Sequence, residues 1–274
     1  MITAMPRIAI AMEDFGAAVA TFRDLFGMPV ADFSARTVPQ LGAHVGMCQP
    51  PGGSNIELMA PADPTKPLSQ ALARFLELRG EGLYALMLEA PDPDAEAEVL
   101  AGRGLAVLPL MAGASGRDVH PRSTHGVLIR VYPDGSVADP GHLASGAPGL
   151  SGITRVVVAT DDASLALDAY GTGLGLDASA VVEDGERGVA SAICRPPKGG
   201  VIELVSAVDS ERPFAAAIES FVKEQRHGMY ALMLSADDPD AAFATLVERG
   251  ATVEDAAGRS LLAFGARIII EGRS

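Results

Sequence analysis

The stretch His120-Pro121-Arg122-Ser123-Thr124-His125 gathers two imidazoles, a guanidinium and two hydroxyls within six residues. An imidazole moves protons near neutral pH, and guanidinium and hydroxyl groups bind anions. The loop therefore reads either as an anion-binding, proton-transferring element carried by His120, Arg122 and His125, or as a tight turn whose side chains cap a strand end. Tyr84 and Tyr230 are a second pair of candidates, because each opens the same pentapeptide, Tyr-Ala-Leu-Met-Leu. A tyrosine there either turns its hydroxyl to a ligand or packs its ring and donates one hydrogen bond. Glu183 is a carboxylate candidate set against a solvated loop residue, and His44 and His142 read as isolated surface histidines. No Ser-His-Asp pattern, P-loop or Gly-x-Gly-x-x-Gly fingerprint is present.

These groups must be positioned by a repeated scaffold. Glu81-Gly-Leu-Tyr-Ala-Leu-Met-Leu returns as His227-Gly-Met-Tyr-Ala-Leu-Met-Leu, and both copies run into Asp-Pro-Asp. Arg7-Ile-Ala-Ile-Ala matches Arg155-Val-Val-Val-Ala, with Glu13-Asp14 and Asp161-Asp162 following. Cys48-Gln-Pro-Pro leads to Ile56-Glu-Leu as Cys194-Arg-Pro-Pro leads to Ile202-Glu-Leu. The cysteines are thus equivalent positions, which favours a structural role for each over a disulfide between them. The chain reads as a tandem duplication, 1–133 and 151–274, joined by a Gly-, Pro- and Ser-rich linker over 134–150.

Within each half the order strand, helix, several strands occurs twice. The strand Ile8–Met12 runs to an acidic cap at Asp14 and a helix with apolar Phe15, Val19, Phe22 and Phe26. Asp92-Pro93 and Asp238-Pro239 open later helices that Gly104 and Gly250 close. Amphipathic helices over 68–79 and 214–226 join the two units of each half. The fold class is α+β: four βαβββ units forming two modules.

Composition bounds the partners. The 274 residues are 48% hydrophobic and carry a net charge of −14, which argues against nucleic acid or an anionic membrane as a partner. No apolar run approaches the length of a membrane span, no signal peptide is recognisable at Met1, and two thiols suit a reducing, cytoplasmic setting.

Four βαβββ units in two modules resemble the vicinal-oxygen-chelate superfamily, which includes glyoxalase I, methylmalonyl-CoA epimerase and extradiol dioxygenases. The first half most resembles the epimerase family, through Val38-Pro-Gln-Leu-Gly-Ala-His-Val, Ile56-Glu-Leu-Met-Ala-Pro, the run from Pro67 to Leu83, and His120-Pro-Arg-Ser-Thr-His-Gly-Val-Leu-Ile. The resemblance implies a cup of strands around a divalent metal that polarises a carbonyl while a carboxylate moves the adjacent proton. The family's ligand positions fall on Arg7, Glu57, Ala85 and Arg130 in the first half. In the second they fall on Arg155, Glu203, Ala231 and either Ile269 or Glu271. With no imidazole and only one carboxylate certain in each set, the expectation is a lost metal site and no cofactor.

What replaces it has chemistry of its own, because arginine offers a planar fork to carboxylates. The expected pocket binds a small anionic or carbonyl ligand through Arg7, Tyr84, Arg122, His125 and Arg130, and through Arg155, Glu203 and Tyr230 in the second half. Glu57 and His120 are the candidate catalytic groups. The function expected is a metal-independent isomerase, epimerase or lyase working by proton transfer on a small carbonyl, carboxylate or acyl-thioester substrate. The alternative is a non-catalytic sequestering protein in which each arginine–glutamate pair fills a degenerate cup. A monomer or a homodimer is expected.

Overall fold

The computed structural model describes residues 1–136, 148–225, 227–255 and 258–273. His142 and most of the expected linker lie outside them.

The first unit runs β1 (Ala4–Ala11), α1 (Phe15–Ala20), β2 (Val30–Asp32), α2 (Ser34–Leu41), β3 (Ala43–Cys48) and β4 (Asn55–Pro61). Helix α3 (Pro67–Arg79) leads to β5 (Gly82–Ala90), α4 (Pro93–Gly102), β6 (Arg117–Val119) and β7 (Leu128–Pro133). The second half repeats this with β8 (Ile153–Ala159), α5 (Ala163–Leu167), β9 (Asp177–Ala178), β10 (Val182–Asp184), β11 (Val189–Arg195), β12 (Val201–Ala207) and α6 (Pro213–Gln225). It ends with β13 (Gly228–Ala236), α7 (Pro239–Glu248), β14 (Thr252–Asp255), β15 (Ser260–Ala263) and β16 (Ala266–Gly272). The capping chemistry read from the sequence is present. Asp14, Asp92, Asp162 and Asp238 each accept backbone N–H bonds at a helix start, which satisfies donors the first turn leaves without partners.

Each half forms one sheet. The first has the order β2-β3-β4-β1-β5-β7-β6, and the second β10-β11-β12-β8-β13-β16-β15-β14, with β9 pairing β11. At each centre two units meet antiparallel, β1 on β5 and β8 on β13, while β1/β4, β5/β7, β8/β12 and β13/β16 are parallel. One face of both sheets shares a single hydrophobic core with the outer helices, built from residues such as Ile8, Ile10, Phe22, Leu100, Val156, Tyr170 and Leu246. The opposite faces form two separate cups, with cores around Ala9, Met59, Leu72 and Met87 in the first and Val157, Val205, Ile218 and Ala231 in the second.

The seam between modules relies on close backbone approach. Met5 bridges Gly199, and Ser54 bridges Ile153. A Cβ at residue 199 would stand 2.2 Å from the Met5 carbonyl oxygen, and one at 53 would stand 2.4 Å from that of Ile153. Only glycine permits this contact, and the positive φ of 96° at Gly199 and 63° at Gly53 demands it as well.

Two expectations need adjustment. The halves diverge in the segment that carries Glu183: the first module builds the whole helix α2 at the corresponding place, closed by Gly42 at φ 76°, and the second builds edge strand β10. Glu183 on that edge is exposed. Tyr84 and Tyr230 each occupy a β-bulge. Ala9 pairs Ala85 while Ile10 pairs Leu83, and Val157 pairs Ala231 while Val158 pairs Met229. The extra residue breaks the alternation of faces, so the tyrosine joins its alanine neighbour in the cup-side core.

Candidate functional site

The first cup encloses about 500 Å³, with Arg7, Glu57, Met59, Arg130, Tyr132 and Ser136 among its lining. Arg7 and Glu57 come from neighbouring parallel strands in a register that pairs Ala9 with Glu57, so both side chains rise from the same face. Arg7 donates from Nε to Glu57 Oε2 at 3.1 Å and from Nη1 to Ser136 Oγ at 2.7 Å; the same serine hydroxyl donates to Glu89 Oε1 at 2.7 Å. Its guanidinium also lies 4.5 Å over the Tyr132 ring. Burial works against the charge of Arg7, but Glu57, Tyr132 and Glu89 outweigh it and hold its pKa above the ordinary value.

Arg130 is 1% exposed. Asp118 on β6 takes its Nε and, at 2.7 Å, its Nη2, leaving Nη1 as the nitrogen that Asp118 does not engage. Burial again opposes the charge, and Asp118 and Tyr132 hold the guanidinium well above its usual range. Burial also pushes the Tyr84 hydroxyl up, with Arg130 pulling the other way, so this phenol stays protonated. Arg36, exposed on α2, lines the cup's mouth. Arg7, Arg36 and Arg130 thus all line the first cup, and two of them are buried and fixed by carboxylates.

The second cup is crossed by a network of ion pairs. Glu203 is held by Arg155 at 3.0 Å and by Arg187 at 2.6 Å, and Arg187 also engages Asp184 at 2.7 Å. Glu271 receives the Thr154 hydroxyl at 2.7 Å and lies 3.8 Å from Arg155. Phe214 and Phe221 stand edge-on to Tyr230, and Arg267 lies 3.9 Å over the tyrosine ring. The register of β13 with β16 pairs Leu232 with Ile268, as β5 with β7 pairs Leu86 with Ile129. Ile269, not Glu271, is therefore the counterpart of Arg130.

The remaining candidates are not among the residues that line the cavity at Glu57. His120, Tyr84 and Tyr230 line a different cavity, about 370 Å³, between the modules, together with Phe75, Leu83 and Met229. The His120 loop spends its groups on its own turn. His120 Nδ1 accepts from the Arg122 N–H at 3.0 Å, Ser123 Oγ accepts from the Ala106 N–H at 3.0 Å, and Thr124 Oγ1 donates to the Val127 carbonyl at 2.6 Å. Arg122 is exposed. Cys48 and Cys194 are buried free thiols; burial raises both pKa values, that of Cys194 to about 12, so neither is reactive.

His125 lies apart from both cups, at the seam. Its Nδ1 is 3.1 Å from Thr160 Oγ1, its ring stacks on His227 at 5.6 Å, and His227 Nε2 is 3.1 Å from Asp161 Oδ1. One donor atom from each of His125, Asp161 and His227 lies within 4.8 Å of the others. Burial, then His227, lowers the pKa of His125 and favours its neutral form. The expectation of a chain with no metal cofactor is corrected here. Ligand positions carried over from one family's cup could not reveal a group assembled from three distant segments at a module boundary. The cup itself, with Arg7, Glu57, Ala85 and Arg130 at the carried-over positions, offers one carboxylate already held by a guanidinium, a donor set that does not fit a transition metal.

The family model of the Glyoxalase/Bleomycin resistance protein/Dioxygenase superfamily matches residues 7–120 and again 154–268. The chain belongs to this superfamily, as two tandem modules. No curated protein sequence matches the chain. Among solved structures, a mutant of 4-hydroxymandelate synthase from Streptomyces coelicolor is similar over 92% of this chain and 76% of its own, at 16% identity and a TM-score of 0.65. Methylmalonyl-CoA epimerase in complex with methylmalonyl-CoA and NH4+ matches 50% of this chain and 98% of its own, at 24% identity and a TM-score of 0.43. The epimerase from Mycobacterium tuberculosis matches 48% and 89%, at 28% identity and a TM-score of 0.40. The first likeness shows that the two-module arrangement is a known fold. Among the described residues no helix is long and apolar enough to cross a membrane.

Proposed function

We propose that the first module is the working module, and that its cup binds a small carboxylate- or carbonyl-bearing compound and moves the proton on the adjacent carbon. The observation that supports this most is the pairing of two buried guanidiniums, Arg7 and Arg130, with the carboxylate of Glu57 around one cavity of about 500 Å³. The guanidiniums bind the carboxylate or polarise the carbonyl, because their charge sits in a low-dielectric wall and does not need to reorganise when negative charge develops on oxygen. Glu57 is the carboxylate in reach of the same space, and Arg7 engages its Oε2, leaving Oε1 to accept a proton. The reaction class this supports is an isomerisation, epimerisation or lyase step begun by proton abstraction.

The Arg7–Glu57 contact also favours a second reading, sequestration without chemistry, since a carboxylate clamped by arginine serves as the pair's counter-ion. Deuterium exchange separates the two. Incubated in D2O with pyruvate or propionyl-CoA, the wild-type protein is expected to speed exchange of the protons beside the carbonyl. Glu57→Gln is expected to slow that exchange by roughly 100-fold or more while still binding. Binding with no exchange in either protein establishes sequestration instead.

A further inference from the structure

The seam contacts recur reciprocally between the two modules, and this gives each of them an internal comparison. His125-Gly126 packs on His227-Gly228, and Phe264-Gly265 packs on Glu81-Gly82 in the same manner. A Cβ at residue 126 would stand 2.1 Å from the His227 carbonyl oxygen, and one at 265 would stand 1.8 Å from that of Glu81. His125 and Phe264 share the same left-handed backbone, at φ 49° and 48°. Asp161 after β8 corresponds to Glu13 after β1, and Glu81 Oε1 accepts from the Glu13 N–H at 2.9 Å. One seam is therefore closed by Phe264, Glu81 and Glu13 and the other by His125, His227 and Asp161. The fold needs no imidazole at either place, so two imidazoles and a carboxylate at one of them call for another explanation.

We propose that His125, Asp161 and His227 form a divalent transition-metal site that staples the first module to the second. Two imidazoles and a carboxylate suit zinc, cobalt, nickel or iron(II), and not calcium or magnesium. One of the three spacings is close to that required, and all three lie within 4.8 Å. Donors bound tetrahedrally at ordinary zinc distances lie roughly 3.3 Å apart, and His227 Nε2 and Asp161 Oδ1 are 3.1 Å apart. The Thr160 hydroxyl, 3.1 Å from His125 Nδ1 and 3.3 Å from Asp161 Oδ1, orients the third donor beside the other two. His227 is 27% exposed and Asp161 66%, so an ion has a path in and water can complete its coordination. His125 belongs to the first module and the other two donors to the second. The ion binds only where the modules are docked, so binding stabilises the whole seam.

The test uses the full chain, stripped with EDTA and dialysed, then titrated with Zn2+ or Co2+ alone. Wild type is expected to bind one ion per chain, to raise its melting temperature with ion concentration, and with Co2+ to show the intense visible bands of a four- or five-coordinate site. The triple variant H125F/D161E/H227E transplants the other seam's side chains. It is expected to keep the melting temperature of the ion-free wild type and to lose both the ion and its stabilisation. His227→Gln alone, at a partly exposed position, is expected to weaken Co2+ binding at least roughly tenfold, and keeps the test open if the triple variant does not fold. Failure of the wild type to take up stoichiometric ion overturns the proposal, as does undiminished uptake by either variant.

Discussion

Replacing Arg130 by methionine is expected to lower the free energy of unfolding by roughly 3–5 kcal/mol, read from urea or guanidinium melts. The size follows from what is left behind. Asp118 is 8% exposed and loses both guanidinium bonds at once. It then stands as an uncompensated buried carboxylate. The side chain also fills space tightly: a Cβ at the neighbouring Gly116 would come within 3.0 Å of Arg130 Cγ. The double variant R130M/D118L removes the orphan together with its partner and is expected to recover most of the loss, since buried ion pairs exchange for apolar pairs at little net cost. A loss below about 1 kcal/mol in the single variant contradicts the burial described for this pair.

Gly126→Ala is the second large effect, expected at roughly 2–5 kcal/mol from left-handed strain and overpacking together. A methyl group at residue 126, where φ is 80°, meets the backbone of His227 and Gly228, which cannot yield as the tip of a flexible side chain would. Gly265→Ala meets Glu81 in the same way and is expected to match it. Gly250→Ala has no atom in its way but shares a positive φ of 93°. It is expected to cost only the backbone part, about 1–2 kcal/mol. The contrast between Gly126 and Gly250, measured by thermal unfolding, separates the close approach of the modules from backbone strain; equal losses mean that the seam is looser than described.

Much of the scaffold was legible because repetition leaves its mark on neighbouring residues. The Asp-Pro caps and the Gly stops are local signals, and the helices they delimit, α4 at Pro93–Gly102 and α7 at Pro239–Glu248, lie where they were expected. Arg7 beside Glu57 was legible because the family resemblance puts both positions in one cup, and the parallel register of β1 and β4 holds them there. What escaped depends on contacts between distant segments. Asp118 carries no mark of its bond to Arg130, because β6 has only three residues and no periodicity. Arg36 was hidden because α2 has no counterpart in the second half, where comparison of the repeats stops helping. Arg187 joins Glu203 across strands for the same long-range reason. The placing of His120 and Tyr84 on the seam cavity follows from module docking, which neither repeat encodes by itself. The His125, Asp161 and His227 group is the extreme case, drawn from both modules.

The claim on which the functional reading depends is that ligand occupies the first cup and is held by its cations. Calorimetric titration of the wild type and of Arg36→Gln with pyruvate and propionyl-CoA tests it most directly, since Arg36 is exposed at the cup's mouth and its replacement is expected to leave the fold intact. The expected result is saturable binding in the wild type that weakens about tenfold in the variant, a change of about 1.4 kcal/mol, with the melting temperature unchanged. Binding of equal strength in both proteins, or no binding of either compound, would contradict it.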